Sequence, residues 1–315
     1  MYQRGPLPSA SRADDAISLR LRQAPRPRSD SSTITGGTVR GQHPHPIGQG
    51  MGIVTIGLCF VSVVTRKIVR PATLAIDVGG TGLKASVLDA GGRLMAHRVR
   101  VPTTYPCPPK RLVDMLSTLV APLPAADRAS IGFPGVVRNG VLLTAPDFVT
   151  RSGPGSPVAK KLLVAWTGFD LAGAMANRLG HPVRVANDAD IQGLEVVSGA
   201  GVEFVVTLGT GVGSALLVDG KLSSHLELAH HPFRNGETYD EQLGNAAFEK
   251  IGPKKWRKRV REAIRNFHVL INYDRLYVSG GNAQALKGHV DPSVHIVGNV
   301  AGILGGIKLW DGAND

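Results

Sequence analysis

Two stretches of this chain share one design, and together they restrict its fold more than any other feature. Thr73 to Asp89, TLAIDVGGTGLKASVLD, reads as an apolar strand ending at Asp77, a turn of Gly79, Gly80, Thr81 and Gly82, then Lys84 on a second strand. Phe204 to Val218, FVVTLGTGVGSALLV, repeats the plan around Gly209, Thr210, Gly211, Val212 and Gly213. Runs rich in strand formers and joined by a tight glycine turn are hairpins. Glycines let backbone N–H groups approach a phosphate without a Cβ in the way, and Thr81 and Lys84 add a hydroxyl and a cation. Asp77, at the strand end, is placed to hold a metal–phosphate unit through water. The spacing is not that of a Walker A loop, and either hairpin alone reads equally well as an ordinary turn. The pair predicts duplicated lobes that face one phosphoryl group.

Between the hairpins lies VANDAD, Val185 to Asp190. The strand His181–Ala186 delivers Asn187 and Asp188 to the start of a helix over Ala189–Ser198, a position from which a carboxylate reaches into a crevice. Phosphoryl transfer to an alcohol needs a carboxylate that accepts the hydroxyl proton. Asp188 alone reads as a helix cap. With a glycine hairpin on either side, the catalytic reading is the stronger. Asp190, its nearest rival, is assigned to the helix surface.

DVGGTGLK, LGTGVG and VANDAD together resemble the ROK sugar kinases (repressors, open reading frames, kinases) of the actin-like ATPase-domain superfamily, and most of all their polyphosphate glucokinase branch. The resemblance runs from about Thr73 to Trp310 and implies an α/β, two-lobed, ribonuclease H-like sugar kinase fold. Residues 71–187 would form the first lobe and 188–299 the second, hinged near Asn187. A closing helix over Val300–Trp310, within 300–315, would return to the first lobe. The implied reaction moves a phosphoryl group from polyphosphate, ATP or both to the 6-hydroxyl of glucose. Asp188 is then the base, and Mg²⁺, oriented through Asp77 by water, neutralises the donor.

The same resemblance assigns the remaining roles. Gly79, Gly80, Thr81, Gly82 and Lys84, with Gly209, Thr210, Gly211 and Gly213, would cradle donor phosphates, and Gly280 and Gly281 would face a nucleotide base. Asn187, Glu227 and His230 would bind sugar hydroxyls beside Gly135 of the Gly132-Phe133-Pro134-Gly135 turn. Asp147 stands where many ROK kinases have an asparagine, and an ionised acid accepts hydrogen bonds but donates none. Ala229 replaces the family glycine between Glu227 and His230. A further family glutamate corresponds to Glu237 or Glu241, and the choice stays open. No cysteine follows His230, so no structural zinc is implied. A metal site from His225, His230 and His231 is the weaker alternative, since adjacent loop histidines make poor ligand sets.

Elsewhere, Leu112, Met115, Leu116 and Leu119 predict one apolar helix face. Ala129–Phe133 reads as a strand, Arg93–Val101 as a third strand of the first lobe, and Arg151–Val164 as a long Gly/Pro-rich loop. A helix over Gly168–Leu179 is stopped by Gly180. Leu276–Ser279 is a strand leading into Gly280. Gly252–His268 forms a helix in which Trp256, Val260, Ile264 and Phe267 pack. The same helix carries Lys254, Lys255, Arg257, Lys258, Arg259, Arg261 and Arg265. Such a run is usually a solvated face, but beside a phosphate-transfer site it also suits a long polyanion.

The chain of 315 residues carries a net charge of +12, of which residues 1–70 hold ten Lys/Arg against three Asp. The body is thus only mildly basic, which fits an anionic substrate and does not call for nucleic acid. Residues 1–50 lack apolar periodicity and read as disordered. Met51–Val64 is apolar but too short for a comfortable membrane span. It lies far from the N-terminus for a signal peptide, so 1–70 is read as a disordered or non-native extension. Its prolines also oppose the winged helix-turn-helix that a sugar-responsive ROK repressor would carry. Cys59 and Cys107 imply no disulfide framework and a reducing cytoplasm. The expected partners are a small sugar and a phosphoryl donor, without nucleic acid or membrane, in a chain that could pair as a homodimer. Kinases for mannose, fructose or an N-acetylated sugar, and a non-catalytic regulator, are the rival readings.

Overall fold

The computed structural model describes residues 71–298 and 304–311. Expectations for residues 1–70, including the Met51–Val64 run, lie outside the described residues. So do those for 299–303 and 312–315.

The first half builds one mixed sheet. Strands β1 (Thr73–Val78) and β2 (Gly82–Leu88) form the first glycine hairpin, pairing antiparallel with Asp77 opposite Lys84. Strand β3 (Val99–Pro102) adds to β2, and helix α1 (Pro109–Val120) crosses to β4 (Arg128–Phe133), which runs parallel to β1. Three two-residue strands follow, β5 (Val137–Arg138), β6 (Val141–Leu142) and β7 (Phe169–Asp170), with helix α2 (Lys160–Trp166) between the last two. Helix α3 (Leu171–Leu179) leads to β8 (Val183–Asn187), giving the order β3-β2-β1-β4-β8.

Helix α4 (Asp188–Val196) carries the chain to a second sheet of the same plan. Strands β9 (Val202–Leu208) and β10 (Val212–Val218) form the second glycine hairpin, followed by β11 (Lys221–Leu222). A small ribbon, β12 (Pro232–Arg234) with β13 (Glu237–Thr238), precedes helices α5 (Tyr239–Leu243) and α6 (Asn245–Ile271). Strands β14 (Arg275–Ser279) and β15 (Val294–Ile296) complete the order β11-β10-β9-β14-β15. Helix α7 (Gly305–Lys308) ends the described chain. Each sheet thus places its glycine hairpin first and joins the next long strand parallel to the hairpin's opening strand.

Burial explains these elements. In α1, Leu112 and Leu116 are fully buried, as their i, i+4 spacing demands, and Pro109 occupies the first turn where a missing N–H costs nothing. They join Val78, Leu83, Phe133, Phe148 and Trp166 in the first core. The second core gathers Phe204, Val206, Trp256, Val260, Phe267 and Val278. A third cluster lies around α4, where Ile191 and Leu194 meet Val205, Ala215, Leu217 and Leu309.

Several local expectations change. The third strand covers only Val99–Pro102, because Asp89 accepts from the N–H groups of Gly91 and Arg93 and turns the chain there. The loop expected over Arg151–Val164 gives way at Lys160 to α2. That helix seats Trp166 in the core, where its indole donates to the Cys107 carbonyl at 2.9 Å. The helix expected from Gly168 starts at Leu171, capped by Asp170, which accepts from Gly173 N–H. The cationic helix is longer than its sequence pattern and is broken at Gly252, whose φ of 75° interrupts it before Pro253 restarts it. Within the span of the closing helix, the described helical residues are Gly305–Lys308. They pack on the first sheet: Ser130 Oγ donates to the Gly306 carbonyl, and the Trp310 indole donates to Ser130 Oγ at 2.8 Å. The Arg128 and Arg184 guanidinium groups lie over the Trp310 ring.

Candidate active site

A cleft of about 790 Å³ opens beside the N-terminal end of α4. Among its lining residues are Gly135, Asp147, Asn187, Asp188, Glu227 and His230 from the sugar-side expectations. Gly209, Thr210, Gly211, Gly213, Gly280 and Gly281 line it from the donor side. Asp77, Gly79, Gly80, Thr81, Gly82 and Lys84 are not part of this lining. The first hairpin nevertheless adjoins it. A Cβ built on Gly80 would run into the Asp147 carboxylate, so the absence of a side chain at Gly80 lets that acid approach the turn. Asp77 also acts electrostatically on Asp188.

Asp188 is the first residue of α4, delivered by β8, whose Val185, Ala186 and Asn187 are buried. Asn187 caps the helix, its Oδ1 accepting from Ala189 N–H at 2.7 Å, while its Nδ2 donates to the Gly135 carbonyl at 3.0 Å. One Nδ2 hydrogen remains for a ligand. Asp188 Oδ1 accepts from the same Ala189 N–H at 2.9 Å, and Asp188 lines the cleft. Burial, reinforced by the negative charge of Asp77, pushes the Asp188 carboxyl up to about 7. Asp190 and the Ala189 N–H and His225 contacts act in opposite directions on it and are smaller than burial. A carboxyl tuned this way takes up a proton near neutral pH, as a general base must.

The two glycine turns have the same hydrogen-bond economy. In the first, the amides of Gly79 and Gly82 bond to each other's carbonyls at 3.1 and 3.3 Å. In the second, Gly209 N–H bonds to the Gly211 carbonyl at 2.9 Å, Val212 N–H to Asp240 Oδ1 at 2.7 Å, and Gly213 N–H to Thr207 Oγ1 at 3.1 Å. Each turn therefore leaves two consecutive amides without a partner among the described residues, Gly80 and Thr81 in one, Thr210 and Gly211 in the other. Successive backbone N–H groups of this kind make a nest for anionic oxygens. Lys84 Nζ sits 2.8 Å from Asp77 Oδ2. The other oxygen of Asp77 has no partner among the described residues, and the side chain is 37% exposed, which suits Mg²⁺, an ion usually bound by one or two carboxylates, waters and substrate phosphates.

One expectation about a side chain is corrected. Asp190 is not on the helix surface. It is 5% exposed, and its Oδ2 lies 3.0 Å from His225 Nδ1. The sequence pattern missed this because the partner is 35 residues away and the helix has little apolar asymmetry to reveal its buried face. Of the open pair, neither Glu237 nor Glu241 lines the cleft: Glu237 accepts from Gln242, and Glu241 closes a capping box with Thr238. That box, Thr-x-x-Glu, was readable in the sequence and locates α5. It would have pointed to Asp240, the missed residue that pins the second glycine turn through Val212. The histidines do not form a metal cage. His231 Nδ1 donates to the Pro232 carbonyl at 2.9 Å, and among the described residues no group of three or more His, Cys, Asp or Glu is arranged to hold an ion.

Two sheets of one plan, each opening with a glycine hairpin, define the two-lobed actin-like ATPase-domain fold of sugar kinases. The ROK family model matches residues 73–230, and this chain belongs to the ROK family. Polyphosphate glucokinase from Mycobacterium tuberculosis is 30% identical over 216 residues, covering 65% of this chain and 76% of that protein. N-acetylmannosamine kinase from Escherichia coli is 34% identical over 155 residues, 48% of each chain. Among solved structures, the inorganic polyphosphate/ATP-glucomannokinase from Arthrobacter sp. strain KM is 28% identical with a TM-score of 0.63. The match covers 76% of this chain and 98% of that one.

Proposed function

We propose that this protein is a hexose kinase that transfers a phosphoryl group from polyphosphate or ATP to the 6-hydroxyl of glucose. The observation that carries this reading is Asp188: a strand-end carboxyl in the cleft, raised to about 7 by burial and by Asp77. Its free oxygen accepts the proton as the sugar oxygen attacks phosphorus. Asn187, Glu227 and His230, with Gly135 and Asp147 beside them, hold the sugar. The paired amides of Gly80/Thr81 and Thr210/Gly211 hold donor oxygens, and Lys84 balances charge at Asp77. Asp77 would hold Mg²⁺, and the ion would supply electrostatic shielding of the donor phosphates. Glucose is the acceptor in the name of the polyphosphate glucokinase relative, and the glucomannokinase name includes it beside mannose.

The test is a coupled assay of the full chain against glucose, mannose, fructose and N-acetylmannosamine, each with ATP and with polyphosphate. Glucose turnover with either donor supports the reading. Turnover confined to N-acetylmannosamine would move the acceptor to the other class of relative. No turnover with any pair would leave the fold in service of a sugar-responsive regulator.

A further inference from the structure

We propose that Asp190 and His225 are positioning residues for the acceptor sugar, a buried acid–imidazole pair that fixes the Glu227 carboxylate in the cleft. This rests on the reading of Glu227 as a sugar ligand and adds two residues to which that reading gave no part in sugar binding.

The geometry is a short chain of contacts. Asp190 lies two residues beyond Asp188 in the first turn of α4, and its Oδ2 is 3.0 Å from His225 Nδ1. His225 Nε2 is 3.6 Å from Glu227 Oε1. The side chains of His225 and Asp190 are only 6% and 7% exposed, whereas Glu227 is 34% exposed and reaches the cleft. With a carboxylate facing each ring nitrogen, both nitrogens serve as donors, which requires the imidazolium form. Burial opposes that charge, but the hydrogen bond to Asp190 and the neighbouring Glu227 carboxylate outweigh it and push His225 up to about 10. The His225 imidazolium likewise holds Glu227 below the usual carboxylate range, so Glu227 faces the cleft as an anion.

Packing does not explain the pair. Asp190 Oδ1 is buried without a partner among the described residues, an arrangement that an apolar residue would relieve. What the pair accomplishes is a fixed link between two segments. Asp188 opens α4, and Glu227 stands on the loop after β11 at the edge of a single 3-10 turn, Leu228–His230, with no side-chain cap. A glutamate there has three free side-chain torsions, and the imidazolium removes that freedom by engaging Oε1. The sugar ligand and the base are then tied through the same helix end, and the acceptor hydroxyl meets Asp188 at one distance.

The experiment measures glucose affinity by calorimetry, together with steady-state KM for glucose and for the donor, in the full chain. If the sugar panel shows another hexose to bind instead, that hexose is the probe. The variants are His225→Gln, Asp190→Asn, Glu227→Gln and the double variant of His225 and Glu227. His225→Gln, which keeps a neutral donor, is expected to weaken sugar binding by roughly tenfold, the scale of a charge-assisted hydrogen bond. The donor KM should stay within about twofold. Because His225 acts through Glu227, the double variant should bind no more weakly than Glu227→Gln alone. Additive losses would overturn the proposal, as would unchanged sugar affinity with a lowered melting temperature, which would mark the pair as a structural staple. Should His225→Gln fail to fold, Asp190→Asn, isosteric and still an acceptor, answers the same question. Unchanged affinity in Glu227→Gln would instead remove Glu227 from the sugar site and sink the underlying reading separately.

Discussion

At the scale of single residues, Asp188 ties activity and stability together with opposite signs. Its folded value of about 7 stands well above the ordinary value of 3.8. Below about pH 4 the carboxyl is neutral in both folded and unfolded chains. As pH rises from there through 7, the unfolded chain gives up its proton first, and folding loses stability from this group. Asp188→Asn should therefore melt near the parent temperature at pH 4 and above it at pH 8, by a margin of up to a few kcal/mol. Its kcat should fall by ~10²–10⁴ across the range. In the parent, kcat/KM should climb with pH and level off above about 7. A variant with near-normal turnover, or one destabilised at pH 8, would remove Asp188 from the role. Glu203 shows the contrary case. It is fully buried, yet hydrogen bonds from Ser198, Tyr277 and Gly199 outweigh burial and hold its carboxyl below the usual range. Its stabilisation is present above about pH 4.5 and disappears in acid, so Glu203→Ala should lower the melting temperature at pH 7 more than at pH 3. Asp188 and the second glycine turn were legible because strand-end acids and glycine runs carry local signals. Asp190, His225 and Asp240 were not, because their partners are supplied by other segments.

At the scale of elements, α6 is the feature whose sequence pattern and structure agree in kind and differ in form. Trp256, Val260 and Phe267 are buried as the spacing requires, and Ile264 packs beside them. Lys254, Lys258, Arg261 and Arg265 are all exposed, with Arg261 also donating to the His289 carbonyl at 3.0 Å. The helix starts at the cleft, where Asn245 N–H bonds to the Gly209 carbonyl at 2.9 Å. A chain of phosphates leaving the second glycine turn would need such a row of cations, while ATP would not. Replacing those four residues with Gln should raise KM for long polyphosphate far more than KM for ATP, and added salt should imitate the change. Equal effects on both donors would make the row a solvated face. The helix expected from the sequence begins at Gly252, where the break lies, and misses the helical turns from Asn245 before it, because apolar spacing reports which side is buried, not where the axis begins. Only a residue without Cβ adopts its φ of 75° freely, so Gly252→Ala should cost about 1–2 kcal/mol in chemical denaturation.

At the scale of the whole molecule, the described cores draw on residues from Ala72 to Trp310. A chain beginning at Arg70 should therefore fold, melt within a few degrees of the full chain and keep its turnover. Aggregation or loss of activity would assign residues 51–69 a structural part. Duplication was legible from the paired hairpins, but the equality of strand order was not, since β11 and β15 are too short to announce themselves. The return of the chain to the first sheet has a mechanical meaning. The backbone passes from one sheet to the other at Asn187–Asp188, and its described segment from Leu304 lies against the first sheet again, where Trp310 is clasped by Arg128, Arg184 and Ser130. If the kinase proposed above opens and closes, two such connections would confine its sheets, like a door on two pins, to a swing about the line through them. Gripping the sugar and bringing the two glycine turns into line would then be one movement, not two.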